Sequence, residues 1–280
     1  MKKILLFSVA LCSQIFFAQA NRFIYQVTMR TDSIHPEASK SEMAYLDIDS
    51  QKSLFYGEKQ LKRDSIMGKM MQTGSFNFDR SQMENLRSNI DFTVEKDLKT
   101  GTKTYKSRIA RDQYAYEEDR PMEWKILPET AKIGDYKTQK AETNFAGRTW
   151  FAWFTSDIPF QDGPYKFSGL PGLIVKAEDS KGDYSFDLKE SKKITELPSL
   201  VQRGTTIKVK RDAFTKQMEK YKKDPMSFMS QGASGGGRVM IGGGNSSGRA
   251  MNPNDPEIRK RIEERVKEEQ KKNNNPIELK

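Results

Sequence analysis

The chain is almost without cysteine and histidine: among 280 residues there is one of each, Cys12 and His35. Cys12 lies in the first twenty residues, so the chain from Asn21 onward carries no thiol. That excludes disulfide staples, thiolate metal sites and thiol catalysis. A single histidine excludes a multi-histidine metal centre, and its place beside Pro36 reads as a turn rather than as the base of a catalytic triad. Apolar residues are also scarce, at 35% of the chain, and the mean hydropathy is −0.79. A core is affordable on that composition, but a thin one with a solvated appendage.

The one extended apolar run, Ile4 to Phe17, is interrupted by Ser8, Ser13 and Gln14 and is too short to span a bilayer. It follows Lys2 and Lys3 and ends at Ala18-Gln19-Ala20. A positive start, an apolar middle and an A-x-A ending together predict a secretory signal peptide over residues 1–20. The expected location is therefore the periplasm or cell envelope, or the exterior. Removing Lys2 and Lys3 leaves 46 basic against 38 acidic residues, a charge of +8 in place of +10. With no nucleic-acid-binding signature and an exported chain, that excess reads as a solvated basic surface, not as a nucleic-acid site. No cofactor and no metal is expected.

Alternation of β-forming residues predicts strands over 22–31, 42–48, from 53 to 56, and over 90–97, 102–109 and 112–118. Lys99-Thr100-Gly101 makes a hairpin turn between two of them. Helical spacing at Leu61, Ser65, Ile66 and Met70 predicts a helix over 59–71, and a short one is expected over 79–88 with Asp79 as its cap. Trp124 to Leu127 is a short apolar piece that Pro128 ends, and 132–142 leads into the next segment. Strands are then expected over 148–155, 173–177, 184–188 and 205–210. A helix over 211–223 follows, with Asp212 as a cap and Phe214, Met218 and Tyr221 on one face. Residues 231–249 contain eight glycines and lack the strand, helix and lysine of a phosphate loop, so they read as a linker. Asp255-Pro256-Glu257 starts a terminal helix to about Lys272, with a narrow stripe of Ile258, Ile262 and Val266.

These elements predict a mainly β fold, an antiparallel, strongly curved sheet or partial barrel with one or two packed helices. The expected division is a signal peptide at 1–20, a β-rich domain at 21–226, a glycine-rich flexible linker at 227–254 and a C-terminal helix and tail at 255–280, outside the core.

The most demanding stretch is Asn144 to Asp179, which holds two of the three tryptophans and five of the sixteen phenylalanines. Arg148 to Thr155 is apolar on both alternating faces and so reads as a strand buried on both sides. Gly163-Pro164 and Gly169-Leu170-Pro171-Gly172 bracket Tyr165-Lys166-Phe167 with turn signals. Candidate binding or structural residues are Arg148, Trp150, Trp153, Pro164, Tyr165, Phe167, Gly169, Leu170, Pro171 and Gly172. As a binding site, the aromatic residues line a groove. As a folding nucleus, the glycines take special backbone angles, Arg148 pairs with an acid and the tryptophans fill the core.

Gly169-Leu170-Pro171-Gly172-Leu173-Ile174 spells GLPGLI, and the chain resembles the GLPGLI family of secreted Bacteroidetes proteins. Gln139-Lys140-Ala141, Gly147-Arg148, Ala152 to Thr155, Ile158-Pro159, Gly163 to Phe167 and the closing Asn275 to Leu279 also match that pattern. Thr138 departs from it, standing where family members often carry cysteine. The resemblance implies an exported scaffold of unknown function and assigns no catalytic residue.

Two functions are expected from these residues. The first is a non-enzymatic, envelope-associated binding protein, its partner a peptide, an apolar ligand such as a lipid, or an envelope or outer-membrane protein. The chain itself is not expected to be an integral membrane protein. The second is a carboxylate- or metal-dependent hydrolase using Asp157, Asp162, Glu178 and Asp179.

Overall fold

The structure, a computed structural model, describes residues 19–35, 37–74, 85–110, 112–200, 205–226, 228 and 256–279. The expected signal peptide, the glycine-rich linker, the Asp79 and Asp255 caps and Pro36 lie outside the described residues.

The first half of the chain is a meander of β1 (Ala20–Met29), β2 (Lys40–Ile48), β3 (Lys52–Gly57), β4 (Phe92–Asp97), β5 (Lys103–Ile109) and β6 (Asp112–Glu117). It is interrupted only by helix α1 (Glu58–Thr73) between β3 and β4 among the described residues. A second meander contains β7 (Lys125–Ile133), β8 (Tyr136–Phe145), β9 (Arg148–Thr155), β10 (Leu173–Asp179) and β11 (Tyr184–Ile194). After it come β12 (Thr206–Lys208), α2 (Arg211–Lys223) and α3 (Pro256–Lys272). The twelve strands of the described residues form one sheet, in the order β12-β6-β5-β4-β3-β2-β1-β11-β10-β9-β8-β7. The two meanders meet where β11 pairs with β1, from Ala20 opposite Ile194 to Met29 opposite Tyr184.

Turn chemistry sets several registers. Ala146 (φ 53°) and Gly147 (φ 82°) both take the left-handed backbone that a two-residue hairpin needs, which places Phe145 opposite Arg148. The Asp97 carboxylate accepts the backbone N–H groups of Lys99 and Thr100, closing the turn between β4 and β5.

The sheet is strongly curved. Flat strands would put β3 and β11 about 14 Å apart, three spacings of ~4.8 Å, yet the rings of Phe55 and Phe186 on those strands lie 6.0 Å apart. The inner face carries the core: Phe23, Tyr25 and Val27 of β1, Ala44 and Leu46 of β2, Trp150 and Ala152 of β9, and Phe186 of β11. α2 closes one end of that face, with Phe214 edge-on to Tyr105 and Tyr114. α1 begins directly after β3, and Glu58 at its first turn accepts a hydrogen bond from the Tyr45 hydroxyl.

The sheet departs from the sequence expectations at four places. β7 runs straight through Pro128, because it is the end strand and the ladder shifts register between Ile126 and Thr130. Proline is tolerated at an edge and a bulge, where no ladder N–H is missed. Residues 132–142 belong to the β7–β8 hairpin rather than to a lead-in. β12 pairs parallel to β6 in an otherwise antiparallel sheet. β9 is not buried on both sides: Arg148, Trp150, Ala152 and Phe154 are buried, while Thr149, Phe151 and Trp153 are half-exposed. At α2 the cap position is Lys210 without a side-chain hydrogen bond, and Asp212 sits in the first turn instead.

The largest difference concerns the C-terminus. Residues 256–279 are not an appendage. Val266 and Asn275 are buried, and the tail after α3 is hydrogen-bonded into the sheet.

Candidate functional site

The connection between β9 and β10, residues 156–172, folds back across the inner face of the sheet. Tyr165, Phe167 and Leu170 are fully buried there. The Phe167 ring packs 4.8 Å from Trp150, and Tyr165 stacks on Phe186 at 6.3 Å. The hollow of the half-barrel is thus occupied by the chain itself. Gly172 is required by this fold-back: at φ 143° it passes so close to β9 that an added Cβ would lie 2.0 Å from the Thr155 carbonyl oxygen. At Gly163 an added Cβ would meet the Ile174 side chain at 2.8 Å.

Two buried lysines hold this loop from opposite sides. Lys96 on β4 follows Val94 on the inner face, and its ammonium donates to the Asp162 carboxylate, to the Gly163 carbonyl at 2.6 Å and to the Phe167 carbonyl at 2.9 Å. It therefore ties both ends of the Gly163–Phe167 turn. Lys166, inside the turn, donates to the Tyr116 hydroxyl at 2.8 Å, to Glu118 at 2.6 Å and to Glu278. Its ammonium also lies 4.8 Å from the Tyr105 ring centre and 5.0 Å from that of Tyr116. Such a charge is tolerated away from water only because carboxylates, a hydroxyl and aromatic faces together replace its hydration.

Arg148 makes the third anchor. One terminal nitrogen donates to Asp179 at 2.8 Å and Asp183 at 3.0 Å. The other donates to the Asn275 side chain and to the Pro276 carbonyl at 2.8 Å, and Nε donates to the Ile277 carbonyl at 3.1 Å. One guanidinium thus joins the β10–β11 turn to the C-terminal tail. The tail residue Glu278 accepts from Arg120 at 2.9 Å, from the Tyr165 hydroxyl and from Lys166.

These charges perturb one another. Burial alone pushes the Glu118 carboxyl up, but the hydrogen bonds and charges of Arg120 and Lys166 outweigh it and hold the group at about 2. Lys103 stands opposite Lys96 across the β4–β5 ladder. Burial, then the neighbouring Lys96 charge, brings it down to about 8. Burial pushes the Tyr165 hydroxyl well above its ordinary value, and the nearby Glu278 charge adds to this.

The candidate residues divide by position. Arg148, Trp150, Pro164, Tyr165, Phe167, Leu170 and Gly172 are brought together in the interior. Gly169 and Pro171 are exposed at the bend of the loop, Gly169 with φ 92°. Trp153 is on the opposite face of β9. The four carboxylates considered for hydrolysis do not converge. Asp157 is exposed at the end of β9, Asp162 is bound by Lys96, Glu178 pairs with Lys176, and Asp179 with Arg148. Among the described residues no group of three or more His, Asp or Glu side chains is placed to hold a metal ion.

Lys96, Glu118 and Arg120 were not singled out from sequence, whereas Glu278 lies in the closing Asn275–Leu279 that matches the family pattern, without a role assigned to it. Lys96 had a visible signal, a charge at an inward position of the alternating run Phe92-Thr93-Val94-Glu95-Lys96. Glu118 and Arg120 follow the end of β6, where no period marks the inside.

A family model described as a protein of unknown function (Porph_ging) matches residues 144–176. That span covers β9, the fold-back loop and the start of β10, so the match falls on the part of the chain whose packing is most constrained. No curated protein matches the chain. Among solved structures it is similar to PNGF-II in two crystal forms, each with 19% identity and a TM-score of 0.52 over 73% of this chain. The matched region is 34% of the PNGF-II chain, so this protein spans about a third of that structure's length. At that identity the likeness is one of fold, a mainly β, open and curved sheet.

Proposed function

We propose that this is an exported, envelope-associated binding protein without catalytic activity, and that it recognises a peptide or membrane-protein partner through the outer face of β8, β9 and β10. The signal-peptide pattern of residues 1–20 supports export, and the GLPGLI resemblance supports an envelope scaffold.

The observation that carries the reading is the fate of the aromatic residues in β9. The inner ones are consumed by the core, which leaves Phe151 and Trp153 half-exposed side by side on the outer face. Lys140 of β8 lies across them, 4.5 Å from the Phe151 ring centre and 5.6 Å from that of Trp153. Lys176 and Glu178 of β10 flank this ridge, opposite Trp153 and Phe151 respectively. Aromatic residues, tryptophan above all, are enriched at protein recognition surfaces, where they act as anchors inside a polar rim. The hydrolase reading has no comparable support, because its carboxylates are separated and three of the four are bound to cations.

The test is purification of the tagged mature chain from its native envelope, with the co-purifying proteins and lipids identified by mass spectrometry, in parallel with Trp153→Ala. The expected result is one specific partner lost in the variant while its folding is unchanged. A chain that emerges alone, or a partner retained by the variant, overturns the outer-face site.

A further inference from the structure

The fold-back loop and Arg148 form a cleft whose contents read as a bound peptide. Residues Asn275 to Leu279 form no helix or strand, yet most of their polar groups are hydrogen-bonded to the rest of the chain. The Asn275 N–H donates to the Thr31 carbonyl at 2.9 Å, its side-chain amide donates to the Arg30 carbonyl at 2.8 Å, and its carbonyl accepts from the Tyr184 hydroxyl at 2.6 Å. Arg148 takes the Pro276 and Ile277 carbonyls, and the Glu278 carboxylate enters the pocket of Arg120, Tyr165 and Lys166. The Leu279 N–H finally donates to the Ala146 carbonyl at 2.8 Å. Side chains and backbone are both read, as in peptide-recognition sites.

Without this segment the charged groups of the receptor side keep some of their partners, while the Tyr165 and Tyr184 hydroxyls lose theirs. Arg148 retains Asp179 and Asp183, Arg120 retains Glu118, and Lys166 retains Glu118 and the Tyr116 hydroxyl. α3, which delivers the tail, adds little of its own: Val266 is its one buried residue. Between Phe228, which packs on Tyr221 of α2, and Pro256 at the start of α3 lie the 27 residues 229–255, including the glycine-rich 231–249. Fully extended, 27 residues reach on the order of 90 Å.

We propose that this cleft is a sequence-selective peptide site, filled here by the chain's own Asn275–Leu279, and that it takes the same segment from a second copy of the chain. Exchange of an identical element keeps every contact and closes a dimer at little cost. The polar anchors give selectivity: a tail without Glu278 would leave Lys166 and Arg120 short of a carboxylate in a buried place.

Two measurements decide it, both on the full mature chain. In the first, Asn275→Ala/Glu278→Ala, folded by circular dichroism, is titrated with a fluorescein-labelled peptide of residues 272–280, followed by anisotropy. Binding is expected, at least tenfold weaker with a Glu278→Ala peptide, and at least tenfold weaker to the unmutated chain, whose cleft is filled. A folded variant that ignores the peptide, or binds a scrambled one equally, overturns the site. In the second, that variant is mixed with an Arg120→Ala chain, which keeps its tail but has a weakened cleft, and the mixture is sized by light scattering. A 1:1 heterodimer is the expected product. Peptide binding without a heterodimer overturns the second-copy occupant.

Discussion

Trp150 and Trp153 stand three positions apart on one strand and have opposite fates. Trp150 is 1% exposed and packed among Phe167 and Phe186 of the inner face, whereas Trp153 is half-exposed on the outer face under Lys140. The inner face is crowded because the 156–172 loop and the C-terminal tail fold into it. On the outer face of β8–β10, Phe151 and Trp153 stay partly exposed beneath Lys140. An aromatic-rich segment is therefore not one feature. The strand period divides it into a part that specifies the fold and a part available to a partner.

The largest break in that division is expected from the inner face. Trp150→Ala removes a buried indole, and a loss of about 3–5 kcal/mol of unfolding free energy is expected in urea titration. Arg148→Ala is expected to cost a similar ~3–5 kcal/mol, because Asp179 would be left buried and unpaired while the tail lost three of its donors. If either variant unfolds at the unmutated midpoint, the inner face is not the folding core.

Acid sharpens the comparison next. Glu118 sits at about 2 in the folded chain against an ordinary 4.5. Its contribution to stability is present above about 4.5 and is lost as pH falls toward 2, since the unfolded state then binds the extra proton. Glu118→Gln should flatten the stability profile over that window, as read by thermal melts between pH 5 and pH 2. Unchanged acid sensitivity would mean that other carboxylates dominate.

A smaller effect of opposite sign is expected at Lys103, held at about 8 against an ordinary 10.5. Between those values the unfolded chain keeps a proton that the folded chain has released, so stability rises with pH across the window. Lys103→Met should therefore stabilise the protein below pH 8, and its advantage should shrink as pH rises toward 10.5. A destabilised variant at pH 7 would show that the ammonium makes a favourable contact. The smallest change in stability is expected at Trp153→Ala, within about 1 kcal/mol for a half-exposed side chain. Its effect should appear in partner binding alone.

Much of the sheet was legible in sequence because alternation is a local property. β1 to β6, β9, β10 and α1 to α3 fall where apolar periods and turn residues put them. β7 was missed because an edge strand needs little apolar surface and Pro128 reads as a stop unless the strand is known to be an edge; β8, paired on both sides, was missed because most positions of Tyr136–Phe145 are polar. The parallel pairing of β12 was equally unreadable, since three residues carry no orientation signal. In the candidate site, Arg148 and the glycine-proline loop stood out by composition. Lys96 and Glu118 did not, and the closing Asn275–Leu279 stood out without its inward placement, because these positions follow from long-range pairing.

By itself the sequence determined the absence of a thiol from residues 21–280, the mainly β class and the segment on which the core is built. Each follows from composition or from periods of two and 3.6 residues, which are written locally. Only the tertiary structure decided which aromatic face is inside, that the half-barrel is filled by its own loop, and that the C-terminal tail is clasped by Arg148 and Lys166. Those outcomes depend on contacts between residues more than a hundred positions apart, such as Lys166 with Glu278. Closing them requires the curvature of the whole sheet, which no local stretch encodes.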